Sequence, residues 1–373
     1  MFFRWLQGFS IATVLVLAAC TPPMAATPTA APPAAPAAQQ AAAPAAAKPG
    51  DPLADAIGKY YDAAKREGKL VIYGVGNPTL YNPVRDAFTA RFPGIALEGV
   101  DQRGRESREK VVAEQQSRNY VVDVVISGFD TQSELLANNF IEPYQAAEIP
   151  QVIPELVTPG GNFNPRTVSI FTMTVNTNLV PPDQEPKTYQ DILDPKWRGK
   201  LAMDDPRGSG PGGTIISGAE VLYGLDWSSK LAENKPFFAT QAGPIWTSLA
   251  RGEYAIFLSS NHTDAIAQRK AGAPVKLLKP QDGVGITQIN QSIIKNAPHP
   301  NAAKLWIEWS LSEEGQTLLA EQGYATVRKG MKIAEPEASL EGVKFLPRDD
   351  DPETFKILGD RTKRWEDVFF KTP

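Results

Sequence analysis

The sequence predicts a two-lobed α/β protein with a cleft between its lobes, and three observations carry this. About 320 residues of ordinary globular composition follow position 50, more than one hydrophobic core usually holds. Short apolar runs alternate with helical patterns, the signature of βαβ units and a parallel sheet. Two long β-type runs, 168–176 (VSIFTMTVN) and 284–295 (VGITQINQSIIK), bracket the middle of the chain. If both cross between lobes, the chain goes out and comes back, and each run belongs to a hinge.

The elements follow in order. Leu53, Ala56, Ile57, Tyr60 and Ala64 share one face of a helix over 53–67, which Gly68 stops. The pair Tyr60 and Tyr61 belongs to that packing. Leu70 to Tyr73 is a short apolar strand. A loop at 74–77 precedes Pro78, which suits a helix start, and that helix ends near Phe92 before the Pro93-Gly94 turn. Ile95 to Val100 is the next strand, and 102–105 a loop. Glu106 to Ser117 is a helix, Asp123 to Ile126 a buried strand, 127–130 its exit loop and Thr131 to Asn138 a helix. In the middle segment, Leu201 to Met203 is a strand, 204–213 a Gly/Pro-rich loop and Thr214 to Tyr223 a helix. Tyr254 to Leu258 is a strand leading into a loop at 259–262, and Asn301 to Glu321 is strongly helical. The expected division is 51–166 for the first part of lobe 1, 167–283 for lobe 2, and 284–373 for the rest of lobe 1 with C-terminal helices.

The N-terminal end stands apart from this fold. Arg4 and the apolar run Ile11–Ala19 read as a signal peptide over 1–19, because nine residues are too few to span a bilayer. The run leads into Leu17-Ala18-Ala19-Cys20, which resembles a bacterial lipobox, with Cys20 as the acylated residue. Cys20 is the only cysteine of the chain, so the mature fold carries no disulfide and no thiol chemistry. Residues 20–50 read as an anchored tether: eight Pro and fourteen Ala fill 22 of positions 21–50. Extended at polyproline rise, it reaches on the order of 90 Å.

Charge and motifs exclude several classes. The net charge of −4 and the lack of a basic stripe argue against a nucleic-acid partner. Gly74-Val75-Gly76 lacks the third glycine of a dinucleotide fingerprint, and Gly208–Gly213 lacks the Lys-Ser/Thr of a phosphate loop. No catalytic triad, zinc spacing or carboxylate pair emerges, so no enzyme and no cofactor is expected. Ligands of open α/β sheets bind beyond the carboxyl ends of the strands. The candidates there are Gly76 and Asn77, Arg103 and Arg105, Ser127 and Gly128, Arg207, Ser209 and Gly210, and Ser260, Asn261 and His262. Arginine forks and amides at helix starts favour an anion. The alternative is that the arginines pair with neighbouring carboxylates such as Glu106, Glu109 and Asp205. His299, the second histidine, reads as part of a surface turn.

Several stretches resemble bacterial extracellular solute-binding proteins of the type II periplasmic fold, in the group that includes ferric-iron-binding proteins. They are 61–73 (YDAAKREGKLVIY), Ala87-Phe88 through Phe92-Pro93-Gly94-Ile95, 194–202 (DPKWRGKLA) and 251–255 (RGEYA), and the resemblance spans about 55–330. It implies a receptor that closes two lobes on a small ligand and delivers it to an ABC permease and its ATPase. With Cys20 acylated, the protein is expected in the cell envelope, exported, lipid-anchored and monomeric. Where iron-binding members carry adjacent tyrosines, this chain reads Ser259-Ser260-Asn261-His262-Thr263-Asp264, so tyrosinate ligation of iron is not expected at that place. An enzyme on the same fold and a sensor subunit are the alternative functions.

Overall fold

The computed structural model describes residues 51–75, 78–102, 104–158, 160–207, 210–348, 357 and 359–371. The expected signal peptide, tether and Cys20 lie outside them, as do the candidates Gly76, Asn77, Arg103 and Ser209.

The first helix, α1 (Pro52–Glu67), is opened by Asp51, whose carboxylate accepts from the Leu53 amide at 3.1 Å. Gly68 closes it at φ 72°, its amide donating to Ala64 O, as the sequence implies. Three parallel strands follow, β1 (Lys69–Tyr73), β2 (Ala96–Val100) and β3 (Val124–Gly128). The helices α2 (Pro78–Arg91) and α3 (Gly104–Ser117) connect them, and α4 (Phe129–Ala137) starts directly after β3. The exit loop expected at 127–130 is therefore a strand end joined to a helix start. β4 (Ile141–Glu142) leads on to β5 (Asn164–Asn176), a strand of 13 residues.

The middle segment holds β6 (Leu201–Asp204), α5 (Pro211–Tyr223), α6 (Trp227–Glu233), β7 (Phe237–Ala239), α7 (Ala242–Arg251), β8 (Ile256–Asn261), α8 (His262–Lys270) and β9 (Val275–Leu277). The chain returns through β10 (Gly285–Ile294) to α9 (Pro300–Leu311), α10 (Glu313–Glu321) and β11 (Ala325–Thr326). The single helix expected over 301–321 is two. Ser312 ends the first and caps the second, its hydroxyl accepting from the Gly315 amide at 3.2 Å.

All eleven strands among the described residues form one sheet, ordered β2-β1-β3-β10-β5-β8-β6-β7, with β4 on β10 and with β9 and β11 on β5. The two long strands join its halves. The first part of β5 pairs with β10 and β11, and its second part with β8 and β9. The expected parallel pairing holds within β1–β3 and within β6–β8. β5 and β10 run antiparallel to their neighbours, because each traverses the boundary rather than returning through a helix.

Two apolar cores lie on this sheet. On one face of the first half, Leu70, Ile72, Val124 and Ile126 meet Phe88, Trp306 and Trp309. Phe88 packs edge-on to Trp306 at 5.2 Å and to Trp309 at 5.3 Å. Val71, Tyr73 and Val125 fill the opposite face beneath α3 and α4. The second core centres on Met173, Leu201, Ile215, Trp227 and Ile256, and it includes Leu346 and Trp365 from the end of the chain. The C-terminal helix (Arg361–Trp365) docks there through Glu220, which is 1% exposed. Glu220 accepts from Arg364 Nη2 at 2.6 Å, Trp365 Nε1 at 3.1 Å and Ser228 Oγ at 2.6 Å.

Candidate functional site

The registers show where the sheet ends and the cleft begins. Val100 lies opposite Tyr73, and Tyr73 opposite Val125. Two residues further along β3, Ser127 lies opposite Asn290 of β10, and Asn290 opposite Pro165 of β5. In that row β1 and β2 have already given way to loops. Only β3 and the two hinge strands continue, so this row forms the floor between the lobes.

A polar cluster occupies the floor. A Cβ on Gly104 would lie 2.6 Å from Thr131 Oγ1 and 3.7 Å from Ser127 Cβ, so α3 begins against the first turn of α4. Ser107, Ser127, Gln132 and Asn290 are all buried. Gln132 Nε2 donates to Val125 O at 3.0 Å and Asn290 O at 3.3 Å, which ties the cluster to both β3 and β10. The outer atoms of this set remain unused by protein: Ser107 Oγ, Ser127 Oγ, Gln132 Oε1 and Asn290 Nδ2 have no hydrogen-bond partner. Buried polar atoms are almost always paired, so such a group marks a place where a polar guest belongs. The cluster extends outward through Gln288, whose Nε2 donates to Asn290 Oδ1 at 2.7 Å and whose Oε1 accepts from Arg348 Nη1 at 3.0 Å. Arg348 also lines a groove of about 890 Å³ together with Tyr223, Asp282 and Phe345.

A helix start from each lobe adds backbone donors. Gly128 is the N-cap of α4 and Gly210 that of α5, and neither helix receives a side-chain cap. Each start carries the positive end of its helix dipole, although α5 begins with Pro211, which has no N–H to offer. In the second lobe α5 is pressed onto the end of β6, since a Cβ on Gly212 would overlap the Asp204 carbonyl oxygen. Beside it, Asp204 is held by Ser259, whose hydroxyl donates to its carboxylate at 2.8 Å and accepts from its amide at 3.0 Å. Burial raises the Asp204 carboxyl above its ordinary value, against the opposing pull of Ser259.

Five candidates are placed differently from expectation. Arg207 donates to Asp205 through Nη2 at 2.5 Å and to Glu366 through Nη1 at 2.7 Å, and it lies 3.7 Å over the Phe370 ring. It fastens the C-terminal segment rather than presenting a free fork. Arg105 is 78% exposed and pairs with Glu109 at 3.4 Å. Ser260 is fully buried: its hydroxyl donates to Thr172 O at 2.7 Å and lies 2.7 Å from Thr174 Oγ1. The loop expected at 259–262 is absent because Ser259, Ser260 and Asn261 continue β8. Asn261 instead caps α8, its Oδ1 accepting from the Thr263 amide at 3.0 Å. His262 is 1% exposed, and its Nδ1 accepts from the Ile170 amide at 3.3 Å. His299, read as part of a surface turn, is joined to buried Asp123: its Nδ1 lies 2.9 Å from Oδ2 and its amide donates to Oδ1 at 2.8 Å.

Ser127 and Gly128, expected in an exit loop, end β3, with Gly128 also opening α4, and Gly210, expected within a loop that runs to 213, is the N-cap of α5. Ser107, Gln132 and Asn290 were not singled out. No period-2 signal marks Asn290, because Thr287, Gln288, Asn290, Gln291 and Ser292 are all polar.

The chain matches known proteins along most of its length. The model of a family described as bacterial extracellular solute-binding protein matches residues 119–351. A Haemophilus influenzae protein described as uncharacterized is 28% identical over 273 residues, 70% of this chain and 78% of its own. Among solved structures, the periplasmic binding protein AfuA of Actinobacillus pleuropneumoniae, with fructose-6-phosphate bound, aligns at a TM-score of 0.62 and 23% identity, covering 82% of this chain and 99% of that one. A Trichodesmium protein, IdiA or FutA, in complex with iron and citrate aligns at a TM-score of 0.66 and 19% identity, covering 82% and 100%. The continuous two-lobed sheet and a family match over more than half of the sequence agree: the chain belongs to the bacterial extracellular solute-binding protein family, with the type II periplasmic-binding fold.

Proposed function

We propose that the chain is the lipid-anchored receptor of an ABC uptake transporter and that it closes two lobes over a small solute bearing an anionic group. Its partners in this reading are a permease and its ATPase, the membrane being reached through acylated Cys20. The closing units are 51–166 with the return over 284–345, and the inserted segment 167–283 with the C-terminal helix that packs on its core. The observation that carries the reading is the cleft floor, where Ser107, Ser127, Gln132 and Asn290 hold buried, unpartnered polar atoms beside the uncapped start of α4. Such a site offers many neutral hydrogen bonds, positive helix ends and no carboxylate within the cluster. Two structural neighbours are described with fructose-6-phosphate and with iron and citrate, ligands that carry anionic groups.

The test is a thermal-shift series with inorganic anions, phosphonates, sugar phosphates, citrate, ferric citrate and the neutral sugars. A solute that binds only the folded chain at a hundredfold excess over its Kd stabilises it by about 2.7 kcal/mol. At least one anionic solute is expected to raise the melting temperature while its uncharged counterpart does not. A response confined to neutral or cationic solutes rules out the anionic reading.

A further inference from the structure

Arg166 is an unusual residue for a hinge strand. It lies on β5 between Pro165, which faces Asn290, and Thr167, which faces Ile289, and the register shifts at that step. Its backbone therefore stands in the row of Ser127 and Asn290 at the cleft floor. It is 4% exposed, and its Nε is buried without a partner. Among the described residues no hydrogen bond or ion pair reaches its guanidinium. Its backbone is fixed, since its carbonyl accepts from Gln316 Nε2 at 3.0 Å.

Its neighbours are phenols. The Tyr324 ring centroid lies 5.9 Å from the guanidinium carbon. Tyr81, from the first turn of α2, is 4% exposed, and its hydroxyl is unpartnered too. Burial pushes the Tyr81 phenol up, and the charge of Arg166 opposes that rise, so the two groups share one electrostatic environment. A buried charge without a counter-charge is strongly unfavourable, and arginine does not escape by losing its proton. A fork of donors left unused beside a second unused donor fits a planar or tetrahedral oxyanion.

We propose that Arg166 anchors the anionic group of the solute, a carboxylate or phosphoryl that enters at the cleft floor and takes the donors left open there. This rests on the reading that the solute is anionic, and it moves the positive charge from the strand-end arginines to the hinge itself. The guest is either a free oxyanion or the charged end of a larger molecule.

The experiment compares the mature wild type with Arg166→Met and Arg166→Lys, by calorimetric titration and melting, using inorganic phosphate, citrate, fructose 6-phosphate and fructose. The wild type is expected to bind at least one of the three anions, and Arg166→Met to bind it at least about tenfold more weakly. Tighter binding of fructose 6-phosphate than of phosphate assigns the anion to a larger solute, and the reverse to a free oxyanion. Without ligand, Arg166→Met is expected to melt no lower than wild type, because it removes an unbalanced buried charge. Arg166→Lys keeps the charge without the fork and should fold and bind at an intermediate strength. Anion binding that is unchanged in Arg166→Met overturns this assignment and leaves the anionic reading standing. Fructose alone binding, or no anion binding at all, overturns both. Failure of both variants to fold shows that Arg166 holds the hinge structurally, and this also overturns the assignment.

Discussion

His262 shows how one side chain ties the hinge to pH. Its ring accepts from the Ile170 amide on β5, so the fold needs it neutral. Burial pushes its pKa down from 6.5 to about 4. The unfolded chain then binds a proton near 6.5, and the folded chain binds it only near 4. Stability from this group is full above the upper value and is lost as pH falls through the lower one, on the order of 3 kcal/mol in all. Urea melts of His262→Gln are expected to show a flatter acid limb between these two values than wild type, and equal slopes would refute it. The sequence put His262 in an open loop because Ser259 and Ser260 look like loop residues. Their hydroxyls are satisfied inside the sheet by Asp204, Thr172 and Thr174, and local composition cannot report such partners. Arg166 was hidden for a related reason: it lies just before the run at 168–176, and its burial depends on strand β5 starting earlier, at Asn164, and on residues far apart in sequence.

At the scale of elements, most of the fold was legible. Gly68, Pro78 and the Pro93-Gly94 turn mark boundaries that the structure keeps, because each acts through the local backbone. The break at Ser312 and the early starts of α3 and α4 were missed. They depend on caps and on contacts such as Gly104 against Thr131, which join segments far apart in sequence. The C-terminal helix is the clearest tertiary feature. It delivers Arg364 and Trp365 to Glu220, a carboxylate with almost no exposure. Truncation after residue 358 is expected to destabilise the chain by about 3–5 kcal/mol, since a buried charge loses its partners. Adding Glu220→Gln to the truncated chain should recover part of that loss, as read by denaturant midpoints. No recovery would mean that lost packing of Trp365 accounts for the whole effect.

Over the whole molecule, the proposed division of labour is between a fold and an anchor. The expectation of an anchor rests on a nine-residue run with eight apolar residues and on one cysteine. In this reading the tether then sets how far the receptor can reach toward its membrane partner. Cys20→Ser is expected to leave the mature protein in the soluble fraction or unprocessed, because stable attachment needs more than one acyl chain. Unchanged membrane fractionation and mass would count decisively against lipidation. The two-lobed architecture was readable from the long runs at 168–176 and 284–295, whose length exceeds what one sheet half requires. The ligand's identity was not readable, because it depends on which polar atoms remain unused after folding.

The interleaving of the two cores also sets a schedule. A chain made from its N-terminus gains Leu70 and Ile72 early, yet their core waits for Trp306 and Trp309. The second core waits longer still, until Trp365 has emerged. Neither lobe can therefore be completed while the other is unmade. A nascent chain stalled before Trp306 exposes two unfinished apolar surfaces at once, and one stalled before Trp365 still exposes the second.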